Sequence, residues 1–176
     1  MMITYRESDL DVTLPTGDSF RFSDCSAYRS LSGAGLKEMD FGWWESSSST
    51  LWLMELKDYS RLSPAEQLPA DLFDGFMNKA TDSLLMLASV WFNSAKGAEI
   101  CHCLPLSCQS FPSRPQKIKL VFLLNVDSYR IPELEALRDR IKNRLKGRVA
   151  LFDLTVNNII LLDHRTAMRN GLPIGT

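Results

Sequence analysis

At 176 residues, with 45% hydrophobic and 23% charged side chains, the sequence has the composition of one ordinary globular domain with a substantial core. A formal net charge of -1 and a pI near 6.1 argue against a highly basic, non-specific nucleic-acid binder. No apolar run is long enough to cross a bilayer, and residues 1–7 lack the basic start and apolar stretch of a signal peptide. A cytoplasmic location without a membrane follows as the expectation, with Cys25, Cys101, Cys103 and Cys108 as reduced thiols.

In chain order, residues 10–14 alternate apolar and polar, Pro15-Thr16-Gly17-Asp18 supplies turn chemistry, and 19–22 return as a strand. This predicts a β-hairpin over 9–22. Ser23-Asp24 would cap a short helix through Tyr28 to Leu31, ended by Gly33 and Gly35. An aromatic-rich strand over 39–44 and an apolar strand over 51–57 are joined by the polar loop Glu45 to Ser49. So short a loop makes them antiparallel neighbours.

Ser63-Pro64-Ala65-Glu66 has the pattern of a capping box, but Pro69 interrupts it. The long core helix is predicted over about 70–93, where Leu72, Phe73, Phe76, Met77, Ala80, Leu84, Leu87, Ala88 and Trp91 fall at helical spacing. Residues 100–104 read as a strand or as irregular chain, with Pro105, Pro112 and Pro115 marking the irregularity. The continuous apolar run within 117–126 suits a strand covered on both faces. A turn over 127–132 leads to an amphipathic helix over 132–146, ended by Gly147, and then to short strands at 149–152 and 159–162. The tail from Arg165 has no clear pattern. The expected class is α/β, bordering on α+β, with a central mixed β-sheet and flanking helices. One domain covers 1–176, with the hairpin 9–22 and the tail 165–176 as peripheral additions.

The strand over 51–57 ends in Glu55-Leu56-Lys57. Residues two apart on a strand share a face, so Glu55 and Lys57 project together and Leu56 points away. A carboxylate and an amine closing an apolar strand need partners, because an isolated buried charge is costly. In the antiparallel hairpin, Asp40 comes near Glu55. These three residues resemble the PD-(D/E)xK, or restriction-endonuclease-like, nuclease superfamily: an Asp on one strand, a hairpin, an apolar strand ending in (Asp/Glu)-x-Lys, then a helix. Met39-Asp40-Phe41 and Leu53-Met54-Glu55-Leu56-Lys57 carry the pattern, with Met39 at the position of the Pro. The resemblance covers the middle of the chain.

It implies a small nuclease hydrolysing DNA phosphodiesters with Mg²⁺ or Mn²⁺, acting alone, as a homodimer or with a protein partner. Asp40, Glu55 and the carbonyl of Leu56 would bind the metal, which favours hard oxygen donors. Lys57 would orient the attacking water and stabilise charge developing on the phosphate. Two other classes compete. One is a catalytically inactive interaction or nucleic-acid-binding module on the same fold; the other is an α+β binding protein whose Glu–Lys pair is an exposed ion pair.

The remaining candidates read more plainly. Cys101-His102-Cys103 with Cys108 offers zinc-type ligands but lacks a Cys-x₂-Cys knuckle, so buried thiols are favoured. His102 and His164 read as ordinary polar residues. Lys79 reads as solvated, with phosphate contact as the alternative. Trp43, Trp44 and Trp52 read as core, with base stacking as the alternative. Acidic residues dominate the first sixty positions, and the stretch from Arg114 to Arg148 is basic. That asymmetry suits either a solvated helix face or a phosphate-binding flank opposite an acidic site. No glycine-rich phosphate loop, Ser/His/Asp order or dinucleotide fingerprint is present.

Overall fold

A computed structural model describes residues 1–111 and 117–175. Pro112, Arg114 and Pro115, singled out above, lie outside the described residues. Strands β1 (Met2–Glu7) and β2 (Leu10–Pro15) pair antiparallel across Ser8 and Asp9. Both turn residues have positive φ, 49° and 61°, as a two-residue hairpin turn matched to strand twist requires. The hairpin predicted over 9–22 is therefore wrong in its pairing. The strand at 10–15 turns back on the chain before it, and the Pro15 to Asp18 turn carries the chain into a different sheet.

That second sheet has five strands. In spatial order they are β3 (Ser19–Phe20), β4 (Phe41–Glu45), β5 (Thr50–Asp58), β6 (Ile118–Asn125) and β7 (Ile159–Asp163). The pairs β3–β4 and β4–β5 are antiparallel, while β5, β6 and β7 are parallel. The helices are α1 (Ser26–Ser32), α2 (Leu72–Trp91), α3 (Ala95–Cys101), α4 (Ile131–Ala150) and α5 (His164–Arg169). The expected mixed sheet flanked by helices is the architecture present.

Strand alternation divides the core into two layers. Leu51, Leu53, Leu120, Phe122 and Leu124 pack with the buried faces of α2 and α4. Met54, Leu56, Val121 and Leu123 pack with Leu10, Val12 and Leu14 of β2, Ala167 of α5 and Ile174. Because both faces of β5 and β6 are covered, the strands carry the continuous apolar stretches 51–54 and 120–124. Close backbone approach is needed at two glycines. A Cβ on Gly42 would lie 2.2 Å from the Phe20 ring that crosses it, and one on Gly97 would lie 1.9 Å from the Ser89 carbonyl oxygen, where α3 meets α2.

Other expectations change locally. Residues 63–66 form no helix, although the Glu66 carboxylate accepts from the Ser63 N–H at 2.8 Å. Residues 100–104 are the end of α3 and a turn rather than a strand. Gly147 does not end α4, which runs to Ala150 because Leu145 and Val149 continue its buried stripe; 149–152 is accordingly no strand. The tail holds α5, and Ile174 bridges to Val12. Cys25 and Cys103 are joined in a disulfide with Cα atoms 5.6 Å apart, which corrects the expectation of four reduced thiols. Cys101 and Cys108 are free, and burial pushes the Cys108 thiol up to about 12. No helix among the described residues is long and apolar enough to cross a membrane.

Candidate functional site

The register of β4 against β5 sets Phe41 opposite Met54, and β4 goes no further. Asp40 is thus the first residue past the strand end, beside the uncovered edge of β5. There its Oδ2 accepts the Leu56 N–H at 2.8 Å. The Leu56 carbonyl, on the same edge, accepts from the Ser8 hydroxyl at 3.3 Å. Both main-chain groups of Leu56 are met by side chains because the neighbouring strand has stopped.

Helix α2 closes the site from the helical face. The Lys79 ammonium lies 3.1 Å from Asp40 Oδ1, 2.7 Å from Glu55 Oε1 and 2.8 Å from Glu55 Oε2. Three and four residues on, Asp82 accepts from the Lys37 N–H at 3.0 Å and the Ser83 hydroxyl accepts from the Met39 N–H at 2.9 Å. One face of the helix therefore holds both the charge between the carboxylates and the backbone that leads into Asp40. Lys57 completes the group, with its Nζ 2.9 Å from Glu55 Oε1. Asp40, Glu55 and Lys57 come together as the hairpin geometry requires.

Side-chain exposure grades the group from inside to outside: 0% for Glu55, 10% for Asp40, 21% for Lys79 and 30% for Lys57. Burial, reinforced by the Asp40 carboxylate, pushes the Glu55 carboxyl up to about 7, against the pull of the two ammoniums. Burial also opposes the Lys79 charge, but Glu55 and Asp40 together hold that ammonium above the ordinary lysine range. Glu38 is raised as well, first by burial, and Tyr59 is raised by burial and then by the carboxylates of Asp71 and Glu55. Glu55 Oε1 receives no well-aligned hydrogen bond despite two ammoniums within 3 Å.

Two of the sequence-based alternatives are corrected here. The Glu–Lys pair is not an exposed ion pair, because Glu55 is fully enclosed. Lys79 is not a solvated lysine. Its place on the helix carried the signal: Phe76, three residues before it, and Ser83, four residues after it, are both buried. A lysine flanked in that way points along the edge of the buried stripe.

Two carboxylates and a peptide carbonyl are hard oxygen donors of the type divalent cations take, and here an ammonium stands between the carboxylates. Among the described residues no group of three or more His, Cys, Asp or Glu side chains could hold a metal ion. The third oxygen here would be the main-chain carbonyl of Leu56.

The other candidates lie apart from this group. Trp43 and Trp52 stack with centroids 5.5 Å apart and pack in the layer with Met54 and Leu56, on the opposite side of the sheet from Glu55. His164 meets the Gly175 carbonyl oxygen at 3.0 Å. The basic residues of α4 do not bond to the site: Arg138 pairs with Asp139, Arg140 lies over Phe73, and Arg148 donates to the Arg144 carbonyl. Compared with protein-family models, with curated proteins and with solved structures, the chain matches none.

Proposed function

We propose that this protein is a metal-dependent nuclease of the PD-(D/E)xK type, hydrolysing phosphodiester bonds of DNA. The observation that carries the reading is the meeting of the Asp40 and Glu55 carboxylates around one point, where β4 begins beside β5. Asp40, Glu55 and the Leu56 carbonyl would hold Mg²⁺ or Mn²⁺. A divalent ion there would polarise a phosphoryl oxygen and lower the pKa of a bound water. The chain's own residues do the rest. Asp40 keeps its carboxylate in place through the Leu56 N–H. Lys57, the most exposed member, presents an ammonium to the attacking water and to charge growing on the phosphate. A homodimer or protein partner belongs to the same reading, as does a cytoplasmic location, although the Cys25–Cys103 disulfide is of a kind more common in oxidising compartments.

A second reading is a catalytically silent module on the same fold, binding nucleic acid or protein. It is favoured by the Lys79 ammonium, which together with Lys57 already neutralises the carboxylates that a metal would need. DNA cleavage with Mg²⁺ or Mn²⁺ separates the two. Glu55→Ala and Lys57→Ala should each lower the wild-type rate by about a hundredfold or more. A wild-type protein that cleaves neither single- nor double-stranded DNA and binds no metal by calorimetry would sink the nuclease reading. DNA binding without cleavage would favour the silent module.

A further inference from the structure

We infer that Lys79 is a built-in cation occupying the position a divalent ion would take, so that such an ion enters only by displacing the Lys79 side chain. The inference rests on the cation-site reading above and concerns what controls entry. Charge comes first. With both carboxylates ionised, Asp40, Glu55, Lys57 and Lys79 sum to zero. Adding a dication with Lys79 in place would leave two uncompensated positive charges. Moving the Lys79 ammonium to solvent reduces the excess to one, which a single phosphodiester anion cancels. Cation entry and phosphate binding are therefore coupled, and the free protein holds metal weakly.

Geometry agrees. The Lys79 ammonium is within 3.1 Å of Asp40 and 2.7 Å of Glu55, so no second cation fits between these carboxylates while it stays. The side chain alone needs to move. It is partly exposed on a flexible four-carbon stem, whereas the helix around it stays tied to the 37–39 backbone through Asp82 and Ser83. Glu55 Oε1, enclosed and without an aligned donor, has a lone pair free of directed hydrogen bonding.

The test is calorimetric titration of Mn²⁺ alone into the wild type, Lys79→Gln and Lys79→Arg. Removing the tethered charge should tighten Mn²⁺ binding by about tenfold or more, while the arginine variant stays near wild type. A glutamine variant that binds Mn²⁺ no tighter than wild type overturns the inference. If both then bind it equally well, the metal site survives; if neither binds, the metal-site reading falls too. A gain in affinity with no DNA cleavage by the wild type removes the nuclease reading and leaves the inference standing. Circular dichroism melts cover a folding defect. A Lys79→Gln chain that folds only with Mn²⁺ supports replacement of one cation by another, and one that stays unfolded with Mn²⁺ overturns it.

Discussion

Lys79 and Arg130 are both cations drawn into the interior, but they are held in opposite ways. Arg130, almost fully enclosed, donates to the carbonyls of Ser63 at 2.9 Å and Glu66 at 2.6 Å, and pairs with Glu133 at 3.1 Å. Two of its three partners are neutral main-chain oxygens, so the guanidinium clamps the loop between β5 and α2 onto the start of α4. Among the described residues, Lys79 is held by two carboxylates and by no neutral acceptor. A fork-shaped donor meeting peptide carbonyls is a fixed structural joint. A compact ammonium between two carboxylates can be exchanged for another cation. What a buried charge is paired with, more than its burial, separates a brace from a site.

The largest effect is expected from Arg130→Met, which removes the guanidinium and leaves two carbonyls unmet. It should lower the free energy of unfolding by about 3–5 kcal/mol in urea titrations and leave Mn²⁺ affinity unchanged. Loss of cation affinity on that change would place Arg130 in the same functional unit as Lys79.

Next in size is a pH effect confined to the Lys79 centre. Glu55 moves from an ordinary 4.5 to about 7 on folding, so between those values the folded chain binds more protons than the unfolded one. Its contribution is fully present below about 4.5 and is lost as pH rises towards 7, a decline of about 3 kcal/mol for a shift of this size. Urea midpoints of wild type and Glu55→Gln across this window measure it. The wild type should lose stability relative to the amide as pH rises, and parallel curves would show that Glu55 keeps an ordinary carboxyl.

The smallest effect calibrates both. Arg61 and Asp9 form an exposed pair at 3.0 Å. A double-mutant cycle to alanine should give a coupling of about 0–1 kcal/mol, falling with added salt. A coupling as large as that of the enclosed groups would mean that burial contributes little to either centre.

Much of the sheet and the central helix was legible because each carries one period over many residues. The alternation and apolar runs of β5 and β6, and the spacing from Leu72 to Trp91, mark the main core elements. The meeting of Asp40, Glu55 and Lys57 was legible too, since the short loop between β4 and β5 fixes hairpin register. The partner of β2 was not legible, and the expected pairing with 19–22 is wrong: an alternating strand pairs with whichever neighbour the turn admits, and Ser8 and Asp9 in the left-handed region do not stand out as Asn-Gly would. The role of Lys79 is not legible locally, because its neighbours in the chain are its own helix, whereas its ligands lie 39 and 24 residues away. The Cys25–Cys103 pairing has no local pattern at all.

That disulfide has a consequence for the unfolded chain. Its two ends are 78 residues apart, and Asp40, Glu55, Lys57 and Lys79 all lie between them. When the fold opens with the bond intact, the four residues remain inside one closed ring and sample far fewer separations than on a linear chain. Ring closure of this length removes conformational entropy worth on the order of 4 kcal/mol from the denatured ensemble. The charges that must find one another on refolding never become fully strangers, whereas β6, α4 and β7 return from open chain.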